Sequence, residues 1–154
     1  MTRRIIAIGG GGFLMERGPS LLDEYFVRTA GVRNPKVCFI STAAGDPEDM
    51  LAKYYKAFSQ LVCRPSHLAF FRKPRQGSIP LDGIERGLLA QDAIYVGGGN
   101  TRSMLAVWRE WDRKLPRNVD SLEVELSGTI EREGGSNEAL EVYGTADHRG
   151  AQAG

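Results

Sequence analysis

Two glycine-rich stretches and a few serines and histidines are the residues of this sequence best suited to chemistry. Gly97-Gly98-Gly99-Asn100-Thr101 follows the apolar run Ala93–Val96 and precedes a segment with helical spacing. Successive N–H groups in such a turn can form an anion-binding nest, reinforced by the N-terminus of the next helix. A nest of this kind suits a negative charge that develops during reaction, such as the oxyanion of acyl transfer. A purely structural role, with Asn100 or Thr101 as N-cap after a glycine turn, holds alongside it. No Lys-Ser/Thr pair follows the glycines, so the loop is not a Walker A loop.

Gly9-Gly10-Gly11-Gly12 follows the first apolar run directly. Glycine there permits positive φ and lets a ligand or a neighbouring loop approach the bare backbone. The dinucleotide fingerprint does not fit. Its third glycine position falls on Leu14 when counted from Gly9 and on Met15 when counted from Gly10, and Ser41-Thr42-Ala43, not an acid, follows the second apolar run. A tight strand-to-loop turn packed under another loop is the structural reading.

A serine nucleophile needs a base within hydrogen-bond reach. Ser127 sits in Leu126-Ser127-Gly128, without a glycine two residues before it. Ser136 sits in Gly134-Gly135-Ser136-Asn137-Glu138, with the first glycine of a nucleophile elbow in place and Glu138 where the second belongs. His148, near the chain end among Gly and Ala, reads as a solvated residue, and His67, just before the third apolar run, as a surface or strand-edge residue. Ser136 and His148 are therefore weak catalytic candidates. Cys38 and Cys63 lie in apolar segments without CxxC spacing or clustered histidines, which predicts reduced, buried thiols and no metal site.

The elements that must position these groups are legible. Ile5–Ile8, Val37–Ile40, Leu68–Phe71 and Ala93–Val96 are short apolar runs without strict polar alternation, as strands covered on both faces read. Ser20 with Asp23, and Asp46-Pro47-Glu48-Asp49, are helix-start signals, the second with Asp46 as N-cap. The helix after Asp46 should run to about Leu61, with Met50, Leu51, Tyr54, Phe58 and Leu61 forming one apolar stripe. Further helices are predicted over about 81–89 and 101–111. Four strand–helix repeats predict an open parallel α/β sheet with helices on both faces and function at the carboxyl ends of the strands.

After Trp111 the character changes. Residues 112–154 hold 13 apolar and 14 charged residues of 43, with no Phe, Trp, Met or Cys, so no buried strand is predicted there. Val119–Leu126 alternates loosely and fits an edge strand or a half-exposed helical turn. The division predicted is 1–111, the α/β part, and 112–154, a polar and partly disordered tail. That tail is either a solvated extension or a departure from the reading frame at Trp111-Asp112.

With 42% apolar residues, 25% charged and a formal net charge of +1, the composition is that of a globular protein, and charge offers nothing to nucleic acid or an anionic membrane. No apolar stretch approaches the roughly 18–20 residues needed to span a bilayer. A cytosolic protein is expected.

Three linked motifs carry a resemblance. Ile5-Ile6-Ala7-Ile8-Gly9-Gly10-Gly11-Gly12-Phe13, Phe39-Ile40-Ser41-Thr42-Ala43, and Ile94-Tyr95-Val96-Gly97-Gly98-Gly99-Asn100-Thr101 with Met104-Leu105 and Trp108-Arg109-Glu110-Trp111 resemble the peptidase E family, over about residues 3–111. These are aspartyl dipeptidases and their cyanophycinase relatives. The resemblance implies a flavodoxin-like fold related to class I glutamine amidotransferases, incomplete here at its C-terminal end. It also implies cytoplasmic serine peptidases that act on small peptides without metal or organic cofactor. By the same analogy the backbone of Gly98 and Gly99 would contribute to an oxyanion hole, with Asn100 holding the loop. A G-x-S-A-G elbow should follow after another apolar strand, and none is recognisable.

Three readings stand at this point. The first is a serine hydrolase of peptidase E type whose chain lacks the elbow and so turns nothing over. The second is a non-catalytic module binding a small molecule or protein, and the third a nucleotide-binding α/β protein. A sheet that stops at its fourth strand leaves an apolar edge, which predicts self-association.

Overall fold

The computed structural model describes residues 4–112 and 140–142. Its centre is a three-stranded parallel sheet. The middle strand β2 (Lys36–Ile40) pairs with β3 (Arg64–Leu68) on one side and β4 (Ala93–Val96) on the other, with Phe39 opposite His67 and Tyr95. Four helices surround it: α1 (Leu21–Thr29), α2 (Glu48–Phe58), α3 (Ile84–Leu89) and α4 (Thr101–Asp112).

Alternate residues of a strand face opposite sides of its sheet, and β2 uses both. Val37 and Phe39 join Phe13, Val27 of α1, Tyr54 and Phe58 of α2 and Tyr95 in one buried cluster. Cys38 and Ile40 join Leu68, Ile79 and Ile84 of α3 in a second, against which Trp108 of α4 packs. Helices α1 and α2 thus cover one face, and α3 and α4 the other. This is the predicted flavodoxin-like α/β arrangement. Val37, Cys38 and Phe39 are fully buried, and a fully buried Val or Phe contributes about 1.5–3 kcal/mol of apolar transfer. Of the two phenols in the first cluster, Tyr54 is the fully buried one, and it donates to the Val37 carbonyl at 2.9 Å, so its burial leaves no orphan hydroxyl.

Three local features differ from the sequence reading, and two of them trace to Asp46. Ser20 caps α1 as expected: its hydroxyl accepts from the Asp23 amide at 3.2 Å, and the Asp23 carboxylate accepts from the Ser20 amide at 2.9 Å. Asp46, by contrast, is not the N-cap of α2. Pro47 occupies that position, and the fully buried Asp46 side chain turns inward to take the amides of Phe70 and Phe71 at 2.7 and 3.1 Å. Those two amides are thereby lost to the sheet, which is why the third strand is Arg64–Leu68 and not Leu68–Phe71. Helix α2 ends at Phe58, short of Leu61, although Met50, Leu51 and Leu61 still pack on the first cluster.

The first run, β1 (Ile5–Ala7), was expected in the parallel sheet. It pairs instead antiparallel with β5 (Leu140–Val142) as a separate two-stranded ribbon, Ile6 opposite Glu141. The N-terminal segment is anchored to the core by Phe13, 1% exposed, and not by its strand. The outer edge of β3 is covered by the chain at 77–79, since His67 donates to Gly77 and Ile79 donates to His67. The outer edge of β4 has no partner strand among the described residues, and Ile94 and Val96 on it are over 40% exposed.

Candidate functional site

The carboxyl ends of β2 and β4 carry the two loops that meet. After β2, Thr42–Ala44 forms a single 3₁₀ turn, closed by Gly45 and Asp46 at positive φ, 81° and 53°. After β4 comes Gly97–Asn100, and it lies directly on that turn. The Gly97 amide donates to the Ile40 carbonyl at 2.8 Å, and the Asn100 amide to the Ala43 carbonyl at 2.7 Å. Gly99 has φ 146° and its Cα sits so close to Ala43 that a Cβ would collide with the Ala43 carbonyl. Only glycine tolerates that combination of dihedral and approach.

Asn100 caps α4, its side-chain oxygen accepting from the Ser103 amide at 3.0 Å. The capping role read from the sequence is therefore real, and Trp108 on the same helix reaches back to the Thr42 hydroxyl at 3.4 Å. Between the two anchored amides of Gly97 and Asn100, those of Gly98 and Gly99 have no hydrogen-bond partner among the described residues. Both residues are exposed, and nothing lies within 4 Å of where a Gly98 Cβ would stand. Two free N–H groups beside the first turn of a 12-residue helix are what an anion or a developing oxyanion requires.

The first glycine loop has a different character. Gly10, Gly11 and Gly12 all have positive φ, and Gly12 accepts from Met15 and Glu16 at 2.9 and 3.1 Å as the chain turns. A Cβ on Gly12 would stand 3.1 Å from the Tyr95 hydroxyl and 3.2 Å from the Asp23 carboxylate. This tight turn delivers Phe13 into the core, edge-on to Phe39, Phe58 and Tyr95 at centroid distances of 5.3–5.5 Å. The two glycine loops nevertheless share a surface. A cleft of about 250 Å³ is walled by Gly10, Gly11 and Met15 on one side and by Ile94, Val96 and Gly98 on the other.

The titratable groups nearby are engaged elsewhere. His67 is part of β3, an outer strand of the sheet, and is 4% exposed, so of the two sequence readings, surface or strand-edge, the surface one does not hold. Its Nδ1 lies 2.7 Å from the Tyr55 hydroxyl. Burial lowers its pKa, Arg75 adds to the lowering, and Asp46 opposes it. It stands across β2 from β4, about two strand spacings or 10 Å from the glycine loop. Tyr95 is pushed up to about 12 by burial and then by the Asp23 charge, so it stays a phenol at neutral pH. Ser127, Ser136 and His148 lie outside the described residues.

The sequence reading missed two buried acids. Asp46 was read as a cap, and Asp23 as no more than a capping partner. One oxygen of Asp23 has no hydrogen-bond partner among the described residues. The local sequence Gly45-Asp46-Pro47 carries no signal for the buried role of Asp46, since an acid before proline is equally a good N-cap. No group of three or more metal-ligating side chains occurs among the described residues.

A parallel α/β sheet with glycine loops at its strand ends, one of them presenting two amides without a partner among the described residues, defines the class. The comparisons give the family: the profile of Peptidase family S51 matches residues 5–119, and the chain belongs to that family, the peptidase E family its motifs resemble. It is also 41% identical over 109 residues to a Bacillus subtilis (strain 168) protein named "Uncharacterized peptidase YgaJ". That match takes in 71% of this chain and 45% of the relative, so this chain spans less than half of the relative's length. No solved structure matches the chain. Among the described residues no helix is long and apolar enough to cross a membrane.

Proposed function

We propose that this chain carries the oxyanion-binding half of a serine-type peptidase of the peptidase E kind, which cleaves small peptides through an acyl-enzyme in the cytoplasm. The observation that carries the reading is the pair of amides at Gly98 and Gly99, without a partner among the described residues and held over the end of β4 beside the cleft. In the reaction they would receive the carbonyl oxygen as it becomes an oxyanion. The attacking serine belongs to a G-x-S-x-G elbow that this sequence does not display, and its base to a histidine, for which His148 is only a weak candidate. Turnover by this chain alone is therefore expected to be absent.

A second reading, a non-catalytic module binding a small molecule or a protein on the same fold, is favoured by one feature. The only histidine among the described residues is spent on Tyr55 and stands across the sheet from the glycine loop. A fluorophosphonate probe separates the two. Covalent labelling of a serine in the folded chain would establish a working nucleophile and overturn the expected inactivity. Absence of labelling, together with a ligand-dependent rise in melting temperature, would favour the binding module. The edge of β4, without a partner strand among the described residues, gives the proposed partner surface, a second copy of the chain; replacing Ile94 and Val96 by lysine should then shift the chain toward monomer in size-exclusion chromatography.

A further inference from the structure

From the contacts around Asp46 we infer that this residue is the positioning residue of the glycine loop, fixing Gly97–Asn100 from beneath although it touches no residue of that loop. The inference rests on the reading of that loop as the oxyanion-binding element and names what holds it in place. Asp46 is fully buried and has φ 53°, a backbone conformation uncommon for a residue with a side chain. Strain of this kind persists only where the surroundings over-determine it.

The surroundings do so from three directions. One carboxylate oxygen accepts the Ser41 hydroxyl at 2.9 Å, and the Asp46 amide donates to the Ser41 carbonyl at 3.3 Å. The other carboxylate oxygen accepts the amides of Phe70 and Phe71, and the Asp46 carbonyl accepts from Arg72 Nε at 3.1 Å. Ser41 and Asp46 are thus the two ends of a clamp closed around Thr42–Ala44, and the far end of the clamp is tied to the segment leaving β3.

That clamped turn is the bed of the glycine loop. The Ala43 carbonyl, inside it, is the acceptor for Asn100 and the surface against which Gly99 lies. Thr42, also inside it, takes the Trp108 indole of α4. Gly98 and Gly99 hang between Gly97, fixed to β2, and Asn100, fixed to the turn. A turn that moved would carry Asn100 with it and change the direction of both free amides. Oxyanion stabilisation depends on donors placed in advance to within tenths of an ångström, so the acid that locks the turn sets how well the loop can work. Its carboxylate serves as acceptor to three donors at once, and its carbonyl to a fourth.

Amide hydrogen exchange followed by NMR on the full chain tests the assignment, with Ser41→Ala and Asp46→Gly as variants. Glycine at 46 relieves the backbone strain while removing the carboxylate, so a folded protein is expected. In Ser41→Ala the protection of the Asn100 amide should fall on the order of tenfold further than that of β2 amides, which report global opening. Phe70 and Phe71 should keep their protection in that variant and lose it in Asp46→Gly. Asn100 protection that merely tracks the β2 amides in both variants would show a general stabilising role and overturn the inference. Because the readout is loop order and not turnover, it stands or falls separately from the fluorophosphonate result.

Discussion

The hydroxyl of Tyr55 on α2 and Nδ1 of His67 on β3 lie 2.7 Å apart in the buried seam where helix meets sheet. A protonated His67 would place a charge there, and burial, with Arg75 adding to it, holds its pKa below the usual 6.5 in spite of Asp46. Above that value the ring is neutral in folded and unfolded chains alike and contributes no pH dependence. As pH falls through 6.5 the unfolded chain takes up the proton first, so stability declines, at up to about 1.4 kcal/mol per pH unit, until the folded form also protonates. Urea melts at pH 7.5 and 5.5 should show this loss in the native chain and a flatter profile in His67→Gln. Equal slopes in the two would remove His67 from the account.

Neighbouring glycines should respond in opposite ways. Gly99→Ala meets both a φ of 146° and the Ala43 carbonyl, and should destabilise by about 1–3 kcal/mol while displacing the loop. Gly98→Ala enters open space and should remain within about 0.5 kcal/mol of the native chain. Thermal melts of the two single variants provide the comparison.

The thiols differ in the same measurable manner. Cys38 is fully buried and pushed up to about 12 by that burial, while Cys63 is half-buried, with its thiol raised as well. Since the thiolate is the reactive form, a disulfide reagent at pH 8 should titrate at most one equivalent, at Cys63. The second should appear only in denaturant. Two fast equivalents without denaturant would mean that the middle of the sheet opens readily.

Phe13 is the joint between the first glycine loop and the core. Phe13→Ala removes a ring in edge contact with Phe39, Tyr54, Phe58 and Tyr95 and should lose about 3–5 kcal/mol in a urea melt. Phe71→Ala, at a ring that is 54% exposed, is the control and should change stability by less than about 1 kcal/mol.

What the sequence made legible were features governed by neighbours along the chain. The Ser20–Asp23 capping box, the apolar stripe of α2, the Asn100 cap and the strand-end glycines all follow from local chemistry, and each stands where expected. Asp46 was misread because its partners, Phe70 and Phe71, lie more than twenty residues away, and a tertiary acceptor role overrode a good local capping signal. The burial of His67 escaped the sequence for the same reason, since Tyr55 and the covering segment at Gly77 come from distant parts of the chain. The pairing of β1 with Leu140–Val142 spans most of the chain, and nothing in its three-residue pattern announced it.

Strand β2 has a consequence for how the sheet finds its alignment. Val37 and Phe39 belong to one cluster, Cys38 and Ile40 to the other. Sliding the strand by a single residue would bring the small Cys38 thiol into the space of the Phe39 ring, and would drive that ring among Leu68, Ile79 and Ile84. One face would be left hollow and the other overfilled, each an error that close-packed interiors penalise. The central strand is proofread from both sides at once, and only one threading satisfies both.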